Sequence, residues 1–162
     1  TSTYSIRSFI ETMVSLENLA SSDPERAADH YFQLANGCYN ITYFGNSRVF
    51  YLSDLFDRGS IYIDWQIPNP NDPIFDCTKA QEYYIKAMNL SHNPEFKAEC
   101  AFMAAKCEQN SFFIHGEHAR GVDFKAGRYF KMLRDSYSLT AYYNEVIREC
   151  GYFKTYVDKN GR

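Results

Sequence analysis

The stretch AADHYFQLANGC, running from Ala27 to Cys38, decides the fold. It sets Tyr31, Leu34, Ala35 and Cys38 at intervals of three and four, the spacing that lines up side chains on one face of an α-helix and scatters them over both faces of a strand. Ahead of it, Ser21-Ser22-Asp23-Pro24-Glu25 reads as a break and a restart, with Asp23 as N-cap and Pro24 at the first helical position. Further upstream Ile6, Phe9, Ile10, Met13, Val14, Leu16 and Leu19 form the apolar stripe of an amphipathic helix over about residues 5–20. Two antiparallel helices joined by a short turn follow, the second reaching about Thr42. Gly37 costs that helix ~1 kcal/mol relative to Ala and marks the close approach of a neighbouring helix.

Downstream, residues 43–76 change character. Gly45-Asn46-Ser47 breaks the helix, Val49 to Phe56 suggests a short one, and Ile61, Ile63 and Trp65 alternate with Tyr62 and Asp64 at a strand-like period before a Pro-rich loop. Helical spacing returns with Ala80, Tyr83, Tyr84, Ala87 and Met88. It resumes after the Asn93-Pro94 cap with Phe96, Cys100, Met103, Ala104 and Cys107, ending before Phe112 and a polar loop from His115 to Gly121. Further helices are expected from about Lys125 to Tyr137 and from about Leu139 to Cys150. Gly151 stops the latter, leaving Tyr152, Phe153, Tyr156 and Val157 as a final aromatic-rich turn or short helical tail.

These helices pair into two similar units. The first opens with Tyr31-x2-Leu34-Ala35-x2-Cys38 and closes with Ala80-x3-Tyr84-x2-Ala87. The second opens with Cys100-x2-Met103-Ala104-x2-Cys107 and closes with Ala126-x3-Phe130-x2-Leu133. The pattern resembles the tetratricopeptide repeat, with small residues where paired helix backbones approach. It departs from that family in two respects. Cysteine stands in both units where an aromatic usually ends the opening helix. The intervals from Leu34 to Ala80 and from Met103 to Ala126 are 46 and 23 positions, against about 13 in a ~34-residue repeat. Both units therefore carry insertions, which in solenoids emerge on one face and often serve binding. The resemblance implies an all-α domain over residues 1–162: six or seven helices in stacked antiparallel pairs, wound right-handedly, with an irregular aromatic insertion at about 43–76. The phrases Asn40 to Ser47, Ala104 to Glu108 and Glu149 to Phe153 are also similar to a group of uncharacterised Bacteroidetes proteins with a tetratricopeptide-like C-terminal module. That likeness implies a cell-envelope or periplasmic setting and transfers no catalytic residue.

Composition narrows the function classes. The 162 residues suffice for one domain, and 45% hydrophobic with 23% charged residues is a globular balance. A net charge of −3 and the absence of any Lys/Arg run argue against nucleic acid as partner. No stretch approaches the ~20 apolar residues that span a bilayer. The chain begins without Met, so a processed protein or a piece of a longer one is expected. The five cysteines include no CxxC and are too few for a disulfide scaffold, and the helical phase of Cys38, Cys100 and Cys107 makes them buried thiols.

Chemistry finds weak support. His115 and His118, with Glu117 and Glu108, are the best metal candidates, but they lie in a Gly-containing loop without the His-Glu-x2-His order, and solvated histidines are the preferred reading. There is no nucleophile elbow and no phosphate-binding glycine loop, and Asp54, Asp57 and Asp64 read as a wet loop surface. No cofactor is expected. The aromatics Tyr43, Tyr51, Tyr62 and Trp65 suit either a recognition surface or a cap over the open end of the stack, the cap being preferred. The expected function is a non-catalytic module that binds a protein or peptide, scaffold to a larger protein. A glycan-binding aromatic platform is the first alternative, and an enzyme with an acidic or His-based site the second. Replacing Ala35 or Ala104 by Trp should lower the melting temperature sharply, by overpacking worth about 1–3 kcal/mol or more; an unchanged melt would remove the repeat assignment.

Overall fold

The computed structural model describes residues 5–47, 71–115 and 127–160. Among them every regular element is helical: α1 (Ile6–Ser22), α2 (Ala27–Asn40), α3 (Thr78–Leu90), α4 (Pro94–Ile114), α5 (Arg128–Tyr137), α6 (Ala141–Glu149) and α7 (Gly151–Asn160), with a 3-10 turn at Pro73–Phe75 before α3. The all-α expectation holds. None of these helices is long and apolar enough to cross a membrane.

Each of the first five helices packs against the next, and α6 and α7 close against α4 and α5. The order is antiparallel because the joints are short or latched. Four residues separate α1 from α2 and three separate α3 from α4. The long segment between α2 and α3 begins and ends at one place, where the Tyr43 N–H donates to the Ile74 carbonyl at 2.8 Å. At that corner the chain leaves α2 by folding back on it. Asn40 accepts the Ser47 N–H on its carbonyl at 3.0 Å and the Asn46 N–H on Oδ1 at 3.3 Å. Gly45 is what permits the fold-back, since a Cβ there would lie 2.3 Å from Asn40 Cα and 2.5 Å from the Tyr39 carbonyl oxygen.

The core runs along the stack. Leu34, Tyr84, Cys100, Phe130, Leu133 and Phe153 are its largest fully buried side chains. Small residues bring the backbones together, with Ala35 on α2, Ala80 and Ala87 on α3, and Ala98, Ala101, Ala104 and Ala105 on α4 all buried. Gly37 meets α1 as its position suggests, because a Cβ there would come within 2.5 Å of Met13 Sδ.

Two glutamates of α4 fasten the C-terminal helices. Glu95 accepts the N–H groups of Ala141 and Tyr142, both at 2.9 Å, and so caps α6; Glu108 accepts the Tyr129 N–H at 3.2 Å and caps α5. A carboxylate at a helix N-terminus satisfies orphan donors and meets the positive end of the dipole.

Several boundaries differ from those expected. Asp23 accepts the Arg26 N–H on its side chain at 3.3 Å and so caps a turn that precedes α2, whose first residue is Ala27 and not Pro24. Helix α4 continues through Phe112 and Phe113, because those rings find partners, Phe113 lying edge-on to Tyr152 at 6.2 Å. Of the two forms expected for the tail, the helical one is found: Gly151 begins α7, and Phe153 and Tyr156 are core residues beside Phe130, which supplies the burial a short helix needs. The strand-like residues 61–65 and the closing position Ala126 lie outside the described residues. Gly45→Ala should cost about 1–3 kcal/mol, since the methyl meets backbone that cannot yield. Gly37→Ala should change stability by less than ~1 kcal/mol, because a thioether can swing aside and helix propensity improves. Urea denaturation of the two variants checks this, and equal losses would undo the distinction.

Candidate functional site

Where the long segment returns to the helices, residues 71–78 make two consecutive side-chain-capped turns. Asp72 Oδ1 accepts the Ile74 N–H at 3.2 Å, and Asp76 Oδ1 accepts the Thr78 N–H at 2.8 Å. The Thr78 contacts hold the Asp76 carboxyl below its ordinary value. Between the turns Phe75 is buried against Tyr43, and after them Cys77 occupies the N-cap position of α3 with its side chain turned inward.

Facing it is the C-terminal half of α4. Cys77 and Cys107 form part of the wall of a cleft of about 380 Å³, together with Asp72, Asp76, Gln81 and His115. The rim is polar and exposed, at Asp76, Thr78, Ser111 and His115, whereas both thiols are buried. Gln81 spans the cleft wall by donating its Nε2 to the Ala104 carbonyl at 3.0 Å. Asn110 Nδ2 lies 3.2 Å from the Tyr39 hydroxyl and 3.9 Å from Cys77 Sγ, so its two N–H groups serve both. Burial pushes the Tyr39 hydroxyl up to about 12.

The two thiols are unequal. The hydrogen bond from the Cys107 thiol, with Asn110 behind it, holds Cys77 below the ordinary thiol value in spite of burial and the nearby Asp76 carboxylate. Cys107 is driven up by that same bond and by burial. Thr42 Oγ1 lies 3.9 Å from Cys77 Sγ, but its single proton goes to the Tyr39 carbonyl at 2.7 Å, so it is placed to accept from the thiol and not to donate to a thiolate. The N-terminus of α3 adds positive potential at the same sulfur. Burial raises Cys38 and takes Cys100 up to about 12.

The expected site residues divide by place. Tyr43 is exposed, and its ring packs at 5.6 Å from Phe44 and 5.1 Å from Phe75. Tyr51, Tyr62 and Trp65 lie outside the described residues, as does His118. His115 is exposed and its Nδ1 lies 2.7 Å from the Ser111 carbonyl, which fixes the proton on that nitrogen. Glu108 points to the N-terminus of α5, away from any metal role with His115. Among the described residues no three His, Cys, Asp or Glu side chains are arranged to hold a metal ion. Of the repeat positions, Leu34, Ala35, Ala80, Tyr84, Ala87, Ala104, Cys107 and Phe130 are buried, and Tyr31, Cys38 and Met103 are half-buried against them.

One surface escapes the sequence reading. The α1 stripe divides in two. Leu16 and Ala20 are buried and Met13 is packed against the core, whereas Ile6, Ile10 and Val14 remain 52%, 55% and 53% exposed. Ile10, Val14 and Leu19 line a shallow groove of about 470 Å³ bordered by Glu11, Ser15, Asn18 and Ser22. The available signal is the breadth of the apolar arc, wider than one neighbouring helix can cover.

No family model, curated protein or solved structure matches this chain.

Half-buried Glu108 has its carboxyl pushed up, chiefly by burial. A carboxyl raised on folding penalises the native state once pH climbs past its unfolded value, and the penalty is complete above the folded one. Glu108→Gln, whose amide oxygen still accepts the Tyr129 N–H, should therefore raise the melting temperature at pH ~7 and lose that advantage below pH ~4. Thermal melts at the two pH values check the sign.

Proposed function

We propose that the chain is a tetratricopeptide-like interaction module that docks a protein partner on the outer face of α1. The observation that carries this reading is the row Ile6, Ile10 and Val14, one helical turn apart and half exposed. Three branched apolar side chains aligned on one face cost solvation free energy as long as they stay in water, and such patches mark contact sites. The groove beside them has an apolar floor and a polar border, the anatomy of a small interface that accepts an apolar helix face. Binding here requires no chemistry from the module. Stacked helix pairs support the role by holding α1 rigidly at the end of the array, with Met13 seated over Gly37.

The test is a paired capture experiment from extract of the source cells, using Ile10→Glu with Val14→Glu and, as control, Leu139→Ser at a position 98% exposed elsewhere on the surface. The α1 variant should keep the wild-type melt and lose partners that wild type and control both retain, by roughly 100-fold for two removed apolar anchors. An unchanged partner set would sink the reading.

A further inference from the structure

We infer that Cys77 and Cys107 form a peroxide-reactive dithiol, oxidised by a small uncharged hydroperoxide to a disulfide that joins α3 to α4. Three independent features meet there. Cys77 begins α3 and Cys107 lies on α4, the helix packed against it. They stand in the wall of a cleft of about 380 Å³ whose rim is open to solvent, ample for a molecule little larger than water. Asn110 Nδ2 lies 3.9 Å from the Cys77 sulfur, and the N-terminus of α3 stands behind it. A hydrogen-bond donor and a helix N-terminus at a sulfur in a cleft wall favour the thiolate through which a cysteine reacts, and the second thiol in the same wall is a resolving group.

The chemistry balances with hydrogen peroxide as oxidant. Cys77 thiolate attacks one peroxide oxygen, the O–O bond breaks, and hydroxide leaves and takes up the proton that Cys77 lost, giving a sulfenic acid and water. Cys107 sulfur then attacks Cys77 sulfur. The S–O bond breaks, and the departing hydroxide takes the Cys107 proton as a second water. Two electrons pass from the sulfur pair to the peroxide, and one disulfide forms. Asp72 and Asp76 at the cleft disfavour anionic oxidants, so a neutral peroxide is selected over a carboxylate-bearing disulfide such as oxidised glutathione. Exposure alone would choose differently, since Cys38 and Cys150 are less buried than Cys77.

The reduced full chain is treated with hydrogen peroxide, quenched, denatured and titrated for thiols. The expected count falls from five to three, with loss of two hydrogen atoms from the intact mass and a peptide linking Cys77 to Cys107. In Cys107→Ser, or Cys107→Ala should serine disturb packing, dimedone should label Cys77. In a parallel arm, oxidised glutathione at equal concentration should react more slowly. Five surviving thiols, a bond between another pair, or first oxidation at Cys38 or Cys150 would overturn the assignment. Faster reaction with glutathione would overturn the choice of oxidant. The wild-type count and mass decide the matter even where a variant fails to fold.

Discussion

The close approach of α4 to its neighbours is the constraint on which the other helices depend. Ala98, Ala101, Ala104 and Ala105, with Cys100 and Cys107 between them, leave that helix without a bulky side chain at its buried positions. Backbones can then approach from more than one side, and large rings from the neighbours fill what remains: Tyr84 from α3 and Phe130 from α5 are both fully buried. Because α4 is enclosed, its polar residues are free to organise others. Glu95 near one end caps α6 and Glu108 near the other caps α5, so both helices are fixed by hydrogen bonds to α4.

The same economy explains the corner at which the long segment leaves and returns. Gly45 lets the chain turn tightly against Asn40, and Tyr43 pairs its backbone with Ile74, so whatever lies between is anchored at one spot beside α3. Anchoring there has a chemical consequence. The two capped turns that follow bring Cys77 to the start of α3 facing α4, and a thiol that would otherwise sit on a loop becomes part of the core boundary. Cys77 and Cys107 thus meet because of a turn geometry, whereas the match of Cys38 to Cys107 in the two units reflects only helical phase.

Helical periodicity carried most of the architecture, and it did so where one apolar face meets one partner. The opening helix of the first unit, α2, illustrates the case, since Leu34 and Ala35 are predicted and found in the core. Periodicity was less informative at α1, where a broad apolar arc does not reveal which half is covered; Leu16 went inward and Ile10 outward because, among the described residues, α1 packs chiefly on α2, which meets one side. Tail residues Phe153 and Tyr156 read as an indistinct aromatic run because their partner, Phe130, lies more than twenty positions away. The cleft was illegible for a related reason. Cys77 lies in a non-periodic stretch, and its relation to Cys107 and Asn110 exists only once α3 and α4 have packed.

That node also bears on how an event at the thiols could reach the rest of the stack. Thr42 from the end of α2, Cys77 from the start of α3, and Asn110 from α4 share one set of contacts, with Tyr39 tied in through Asn110 and through the Thr42 hydroxyl. In a helical array each element answers mainly to its immediate neighbours. A bond between the two sulfurs would remove the Cys107 proton that Cys77 accepts and leave Asn110 facing a weaker acceptor, so adjustment is confined first to the α2–α3–α4 corner. The α1 face lies one helix further on, joined to that corner through α2. The two sites are therefore separate in position, and coupling between them has two routes: the α2 packing of Gly37 on Met13, and the Tyr83 hydroxyl of α3, which donates to Glu17 of α1 at 2.6 Å.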